Sequence, residues 1–243
     1  MVACKNRADI NMISIVIPTW NEEKCLPKLL GSIKKQSYKN YEVIVADANS
    51  RDKTRQIAKK YGCRVVKGGM PAVGRNNGAK AAKGDILLFL DADVQLDKDF
   101  LKKALNEINK RKLDVAGAYT QPLTNNFIDE VYLKIFNFIL FVTQFFYPNA
   151  YGGSIFCKKW LHEKVKGFDE TIKLGEDLDY VQRCGKQGRF RFIKCIKVYF
   201  SMRRFEDEGR LKVGIRHFLS ASYRILFGQI RSNMFKYNLR YRK

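Results

Sequence analysis

The stretch "GDILLFLDADVQLD", residues 84–97, gives the clearest indication of the fold. Its apolar run, residues 86–90, is typical of a strand buried on both faces. Two carboxylates one residue apart, Asp91 and Asp93, follow the run directly. Because like charges this close repel and raise each other's pKa, we expect a positive partner between them. Since hard oxygen ligands suit Mg²⁺ or Mn²⁺, this Asp-x-Asp motif predicts a divalent cation site.

Predicted strands and helices alternate on the N-terminal side of this stretch. The strands are rich in Val and Ile, and the helices carry apolar residues at helical spacing. Such alternation predicts an α/β fold, with a mostly parallel central sheet flanked by helices. The predicted strands are 13–20, 41–48, 63–69 and 85–91, and the predicted helices are 23–36, 51–62 and 73–84.

Several polar or turn-forming residues follow or close these strands. Pro18 and Thr19 lie at the end of the first strand, Asp47 at the end of the second and Asp91 at the end of the fourth. Ligands of open α/β sheets bind at the carboxyl ends of the strands. We therefore expect these residues to converge on one edge of the sheet.

The second half of the chain is less regular. A strand is predicted at 113–122, a helix with an acidic first turn at 175–188 and one or two strands at 189–200. The aromatic segment 127–147 has no stretch long enough to span a bilayer. It is either a helix packed in the core or a segment that lies in a membrane interface.

The charge balance is strongly basic, with 46 Lys and Arg against 24 Asp and Glu. It suits an anionic partner, such as nucleic acid, a phosphate-rich ligand or an acidic membrane surface, or else reflects a solvated surface alone. The six cysteines lack C-x-x-C spacing, and no secretory signal is evident, which predicts reduced thiols in a cytoplasmic protein. His162 and His217 are predicted to lie at the surface.

Three groups of charged residues have both a functional and a structural interpretation. Glu176 and Asp177 open a predicted helix, where carboxylates complement the helix dipole or serve as a general base. Arg75, among the small residues of "GRNNGA", holds either a nucleotide or a surface acid. Arg203 and Arg204 either neutralise a diphosphate leaving group or belong to a solvated face.

Together these segments resemble the family 2 glycosyltransferases, whose nucleotide-binding α/β fold is known as GT-A. The resemblance rests on "SIVIPTWNEE" (14–23), "EVIVADANSRDKT" (42–54), "AVGRNNGAKAAKGDILLFLDAD" (72–93) and "GEDLDY" (175–180). Their order and spacing match the family over residues 13–200. Each motif is weak evidence alone, but the set is specific.

The resemblance implies a donor site for a UDP- or GDP-linked sugar. Asp91 and Asp93 would bind ribose, diphosphate and a Mg²⁺ or Mn²⁺ ion, with Asp93 as the direct metal ligand. The remaining donor-binding residues implied by the family are Pro18, Thr19, Glu22, Asp47 and Arg75, with Arg203 and Arg204 at the leaving group.

The resemblance also implies a catalytic base. Asp177 would deprotonate the acceptor, in an acceptor region that includes Glu176, Gly152 and Gly153. The family's reaction is a single displacement at the anomeric carbon with inversion. The acceptor would carry a hydroxyl or phosphate and is expected among polyprenyl-linked sugars or glycolipids.

Two departures from the family pattern qualify this expectation. Many members carry two acids where this chain has Asp47 and Ala48. The sequence therefore does not decide whether the donor is a UDP-linked or a GDP-linked sugar. The Q-x-x-R-W motif of processive members is also missing from the sequence. We therefore expect transfer of one sugar and not polymer synthesis.

The resemblance also divides the chain. We predict a donor nucleotide-binding half (13–115) and an acceptor half (116–200) of one GT-A domain. A tail (1–12) precedes it, and a basic helical C-terminal extension (201–243) follows. With segment 127–147, this extension would suit peripheral contact with the cytoplasmic face of a membrane.

Other readings of the sequence remain. A nucleotidyltransferase would carry a glycine-rich, lysine-containing loop after the first strand, where this chain has "PTWNEE". A non-catalytic basic protein that binds nucleic acid or a membrane gives no role to the paired acids, which would repel a phosphate backbone. We therefore predict no nucleic-acid partner. A degenerate, inactive transferase is a further alternative.

Overall fold

The computed structural model describes residues 12–150 and 152–232. Within these ranges the strands form one eight-stranded sheet, in the order β3-β2-β1-β4-β7-β6-β8-β5. The strands are β1 Ile13–Thr19, β2 Tyr41–Asp47, β3 Arg64–Lys67, β4 Ile86–Phe89, β5 Val94–Leu96, β6 Val115–Pro122, β7 Ile155–Lys158 and β8 Phe190–Phe200.

The sheet is mixed but mostly parallel, as predicted. β1 pairs in parallel with β2 and β4, β2 with β3, and β6 with β8. β7 lies antiparallel between β4 and β6, with Phe89 opposite Ile155. This pairing brings the residues before β7 beside those that follow β4. Gly152 and Gly153 therefore lie near the Asp-x-Asp motif, although the motif is far from them in sequence.

Helices cover both faces of the sheet. Alternate side chains of β1 point to opposite faces, so that Ile15 and Ile17 join one buried cluster and Val16 joins another. The first cluster packs against α1 and α4, and the second against α3, α6 and α7. The helices are α1 Leu26–Lys34, α2 Thr54–Lys60, α3 Pro71–Ala81, α4 Phe100–Lys110, α5 Phe127–Thr143, α6 Lys159–Lys164, α7 Glu176–Gln187, α8 Arg203–Glu208 and α9 Arg210–Phe227.

Small residues let α3 approach the sheet closely. A Cβ at Gly78 would collide with Val16, and one at Gly74 would lie 3.1 Å from the Cβ of Pro18. This close packing places Arg75, on the same helix, beneath the carboxyl ends of β1 and β4. The small-residue pattern thus positions a buried cation at the predicted ligand edge.

The aromatic segment forms α5, but most of it is not core. Its buried residues are Asp129, Leu133 and Leu140, while Phe127 is 78% exposed and Phe138 is 66% exposed. The interpretation of this segment as packed core therefore fails for most of its side chains. In the described ranges, no helix has the length and apolar character needed to cross a membrane.

The predicted basic extension is helical where it is described. α8 and α9 follow β8, and Arg210 of α9 makes an ion pair with Asp129 of α5 at 2.7 Å. Ile230 then bridges to Leu174, just before α7. Most of the predicted N-terminal tail, residues 1–11, and the end of the extension, residues 233–243, lie outside the described residues.

Candidate active site

A buried arginine joins two of the predicted acidic sites. The Arg75 guanidinium is 2.8 Å from Asp91 Oδ1 through Nη2 and 2.7 Å from Glu176 Oε1 through Nη1. Arg75 is 3% exposed and lies over the ring of Phe168, 5.4 Å from its centroid. Charge-assisted pairs of this geometry are strong and directional. They tie the end of β4 to the start of α7.

The neighbouring carboxylates keep Arg75 ionised in spite of its burial. Burial alone would lower the pKa of Arg75, but the carboxylates of Asp91, Glu176 and Asp177 raise it above its usual value. The sequence predicts a positive partner between Asp91 and Asp93; in this structure the guanidinium of Arg75 pairs with Asp91 and with Glu176.

Asp177 lies at the first turn of α7, beside this ion pair. Its Oδ2 accepts a hydrogen bond from the Gly152 backbone N–H at 2.7 Å, and its Oδ1 accepts from the Leu178 N–H at 2.8 Å. Burial and the neighbouring Glu176 carboxylate raise the pKa of Asp177 to about 6, against the lowering effect of Arg75 and Arg224. A carboxylate tuned in this way suits general base catalysis near neutral pH.

Gly152 leaves room for this arrangement. A Cβ at Gly152 would lie 2.8 Å from Nη2 of Arg75 and 2.9 Å from Oδ2 of Asp177. Both contacts are too short for a side chain to be accommodated without movement. We refer to Arg75, Asp91, Gly152, Glu176 and Asp177 as the Arg75 cluster. Gly153 is buried next to it, in the turn before β7.

A second group of side chains lies near Asp93, the second acid of the Asp-x-Asp motif. Burial raises the pKa of the Cys25 thiol, Arg203 lowers it, and the carboxylates of Glu22 and Asp93 raise it further. Arg203 Nη2 lies 3.6 Å from Glu22 Oε2, and its Nη1 lies 3.4 Å from Cys25 Sγ. Asp93 and Arg203 are therefore both close enough to Cys25 for their charges to change its pKa. Arg204 lies in α8, and its side chain is outside the described part of the structure.

The Asp47 carboxylate makes hydrogen bonds and an ion pair with residues of the surrounding segments. It accepts hydrogen bonds from Thr19 Oγ1 at 3.2 Å and from the Ser50 N–H at 2.9 Å, and Arg55 lies 3.6 Å away. These contacts hold the ends of β1 and β2 together, and Pro18 lies half-buried beside them. In this structure Asp47 therefore links the end of β1 to the loop after β2, at the place where the resemblance predicts the nucleoside base.

The Asp-x-Asp carboxylates have the donor chemistry that a divalent cation requires. Among the described residues, no group of three or more His, Cys, Asp or Glu side chains is placed to hold a metal ion. Asp91 and Asp93 are hard oxygen donors, and Mg²⁺ typically takes one or two carboxylates and completes its shell with phosphate oxygens and water. Asp91 and Asp93 would therefore hold such an ion, and its remaining ligands would come from phosphate oxygens and water.

Sequence reasoning missed some neighbours of the site and misplaced one residue. Arg55 lies 3.6 Å from Asp47, Cys25 lies 3.4 Å from Arg203, and the charge of Arg224 lowers the pKa of Asp177. No motif distinguishes these three residues in the sequence. His162 is not at the surface as predicted: it is buried, with Nδ1 3.0 Å from the Tyr180 hydroxyl. Burial lowers the pKa of His162 to about 4, and so it is neutral in the core.

The fold is the α/β architecture known as GT-A. Residues 14–170, more than half of the chain, match the sequence model of the family described as Glycosyl transferase family 2. The chain therefore belongs to glycosyl transferase family 2.

Two curated relatives show how far the likeness extends. The poly(ribitol-phosphate) beta-N-acetylglucosaminyltransferase TarS of Staphylococcus aureus is 36% identical over 112 residues, which are 42% of this chain and 20% of TarS. A dolichyl N-acetyl-alpha-D-glucosaminyl phosphate 3-beta-D-2,3-diacetamido-2,3-dideoxy-beta-D-glucuronosyltransferase of Methanococcus voltae is 28% identical over 202 residues, 74% of this chain and 63% of the relative. The matched part is thus less than two thirds of either relative.

Solved structures show the same fold at low identity. S. aureus TarS 1–349 in complex with UDP-GlcNAc superposes with a TM-score of 0.65 at 23% identity, over 78% of this chain and 58% of that one. The mannosyltransferase PcManGT of Pyrobaculum calidifontis, in complex with GDP-Man and Mn²⁺, gives 0.66 at 20% identity, over 77% and 56% of the two chains. At this level of identity the likeness establishes the fold alone.

Proposed function

We propose that this chain transfers one sugar from a nucleoside-diphosphate sugar to an acceptor hydroxyl, with inversion at the anomeric carbon. One observation carries the proposal: Arg75 bonds both to Asp91, at the end of β4, and to Glu176, which is 101 residues from Arg75 in sequence and next to Asp177. Two acidic sites with separate chemical tasks are thereby held a short distance apart. Family membership supports the same reaction class.

The donor would lie across the carboxyl ends of β1, β2 and β4. Asp91 and Asp93 would face its ribose and diphosphate, and Arg203 would face the same phosphates from the other side. A divalent cation, Mg²⁺ or Mn²⁺, would bind Asp93 and the diphosphate and neutralise charge on the leaving group. The Mn²⁺ ion in the PcManGT complex supports this choice of ion.

Asp177 would act on the acceptor. Its carboxylate takes the proton of the acceptor hydroxyl while that oxygen forms a bond to the anomeric carbon. The bond from that carbon to the diphosphate breaks, and its electron pair leaves with the nucleoside diphosphate. Attack from the face opposite the leaving group inverts the configuration. The Gly152 N–H orients the carboxylate through the 2.7 Å hydrogen bond.

The donor and acceptor are proposed by class. Known neighbours bind UDP-GlcNAc and GDP-Man, which leaves the base of the donor open between uracil and guanine. The relative from M. voltae is named for a dolichyl-phosphate-linked sugar. A lipid-linked acceptor, reached by peripheral contact with a membrane surface, agrees with that name and with the exposed apolar side chains of α5.

A transfer assay tests the proposal. Wild-type protein and Asp177→Asn are incubated with UDP-GlcNAc or GDP-Man, Mn²⁺ and a polyprenyl-phosphate-linked sugar, and nucleoside diphosphate release is followed together with the anomeric configuration of the product. We expect release from one donor and an inverted product with the wild type only. No turnover of either donor and no hydrolysis under any metal condition would count against the proposed function.

A further inference from the structure

Two neighbouring helices expose many large apolar side chains. We call the exposed apolar side chains of α5, the residues just after it, and α9 the α5–α9 surface. Exposed apolar surface on this scale marks an interaction site on a protein. Its members are Phe127, Ile128, Val131, Ile135, Phe138, Ile139, Val142, Phe145, Phe146, Tyr147, Leu211, Ile215, Phe218, Leu219, Leu226 and Phe227.

These side chains are not needed to pack the fold. The inward side of α5 already buries Leu133 and Leu140, and the inward side of α9 buries Val213. The two helices are joined by the Asp129–Arg210 ion pair and by a 3.1 Å contact between the Tyr132 hydroxyl and His217 Nδ1. The outward apolar side chains are therefore additional to a helix pair that is already anchored.

Cations border this apolar surface. Arg191 lies over the ring of Phe145 at 4.8 Å, and Lys194 Nζ lies over the ring of Phe141 at 4.6 Å. The acid Glu130, by contrast, is paired with Lys134. Aromatic rings flanked by lysine and arginine match the boundary between the acyl chains and anionic headgroups of a bilayer.

Charge favours a lipid surface over a second copy of this chain. The chain has a formal net charge of +22, so that two copies brought face to face would repel. An anionic bilayer attracts the same charge and accepts the apolar side chains without a matching protein surface. We propose that the α5–α9 surface docks on an anionic lipid bilayer, with both helices lying in the interface.

The docking surface is connected to the Arg75 cluster. Arg224 of α9 packs against Gly175, where an added Cβ would lie 2.9 Å from Nη1 of Arg224, and its charge lowers the pKa of Asp177. Gln229, just after α9, donates to Asp179 of α7 at 3.3 Å. Docking would thus hold Asp177 close to the bilayer, where a lipid-linked acceptor resides; this last step alone rests on the proposed function.

Vesicle flotation of the full chain, without sugar nucleotide, tests the proposal. The probes are vesicles of phosphatidylcholine alone and of phosphatidylcholine with phosphatidylglycerol. We expect binding to the anionic vesicles that weakens at high salt, because salt screens the cationic contribution. The variant Phe138→Ser/Ile139→Ser/Phe218→Ser should bind at least about tenfold more weakly, since each serine removes apolar area from the interface. The control Tyr61→Ser/Trp160→Ser, exposed apolar residues outside this surface, should bind as the wild type does.

Other results would overturn the docking surface. Absence of binding to anionic vesicles at low salt is one, and equal loss of binding in the test and control variants is another. Concentration-dependent self-association that the triple variant abolishes, without vesicle binding, would assign the surface to a second copy. Matching thermal unfolding of all three proteins verifies folding. Since no donor is present, a failed transferase reaction leaves these outcomes unchanged.

A second measurement, by fluorescence quenching, tests whether α5 enters the bilayer interface. Phe138→Trp puts an indole on the outward side of α5, and lipids brominated along the acyl chain quench an indole that enters the interface. We expect stronger quenching in Phe138→Trp than in the wild type, whose tryptophans are Trp20 and Trp160. Equal quenching of the two proteins would contradict an interfacial position for α5.

Discussion

In the Arg75 cluster an arginine is buried and its carboxylate neighbours are partly buried, whereas on the α5–α9 surface apolar side chains are exposed. Each region reverses the usual distribution of residues between core and surface. Burying charge and exposing apolar area both lower stability unless a partner compensates. In the cluster the partners are internal, since Arg75 pairs with Asp91 and Glu176. On the surface we expect the partner to be external.

This difference implies that the Arg75 cluster is responsible for the reaction and the α5–α9 surface for membrane binding. Substitutions in the cluster should change turnover and stability in the absence of lipid. Substitutions on the α5–α9 surface should change vesicle binding and leave the chemical step with a water-soluble acceptor unchanged. Substitutions in the Arg75 cluster test this separation.

Replacement of the proposed base should have the largest effect. Asp177→Asn keeps the size of the side chain and one of its two acceptor oxygens but cannot accept the proton, so turnover should fall by about 100- to 10,000-fold. Initial rates of nucleoside diphosphate release measure this. Vesicle binding should be unchanged.

Asp179→Asn is the matched control for this substitution. Asp179 lies in the same turn of α7, but its carboxylate bonds to Arg183 at 2.7 Å and not to Arg75. It should retain most of the turnover. Equal loss of activity in both variants would show that the acids of the first turn affect turnover by stabilising α7. The assignment of Asp177 as the general base would then be wrong.

Removal of the buried cation should lower stability. Arg75→Met leaves two carboxylates without their partner, and we expect the free energy of unfolding to fall by about 3–5 kcal/mol. Urea unfolding followed by circular dichroism gives this value. Lys80→Met, an exposed position on the same helix, serves as the control and should change little. Equal stability of the two variants would contradict a central role for Arg75.

A methyl group at position 152 should displace side chains of the Arg75 cluster and cost less stability than Arg75→Met. Gly152→Ala would push on Arg75 and Asp177, so turnover should fall by about 10- to 100-fold through misplacement of the base. Gly31→Ala is the control, because nothing lies within 4 Å of its Cβ position in α1. Unchanged turnover in Gly152→Ala would show that the cluster tolerates displacement.

The pH dependence should report the environment of Asp177. The base must be deprotonated to act, so kcat/KM should rise with pH and level off above about 6, the pKa that burial and Glu176 give Asp177. Arg224 lowers this pKa, and Arg224→Gln should therefore move the acidic limb to higher pH. An acidic limb near pH 4 in the wild type would contradict a buried base.

The sequence predicts the regular half of this architecture well, because local patterns determine it. The runs that form β1, β2 and β4 and the spacing in α1 are visible without a structure. β5 and α4 were not predicted. β5 has three residues and forms only because it pairs with β8, and α4 has a more polar composition with apolar residues on one side.

The predicted site residues could be chosen from motifs, but their contacts could not. The pairing of Arg75 with Glu176 joins positions far apart in sequence, and no local signal announces it. The same holds for Arg224, which lies in a basic segment among many similar residues. The outward orientation of α5 was one of two alternatives from its composition, since a buried helix and an interfacial helix have the same apolar content.

Calorimetric titration of UDP and GDP tests the central claim, that the Asp-x-Asp edge beside Arg75 is a metal-dependent nucleotide site. Wild-type protein and Asp93→Ala are titrated with each nucleotide in Mn²⁺ and again with a chelator. We predict that one nucleotide binds the wild type in Mn²⁺, and that binding is lost with the chelator and in Asp93→Ala. Binding of neither nucleotide to the wild type under any metal condition would contradict the account.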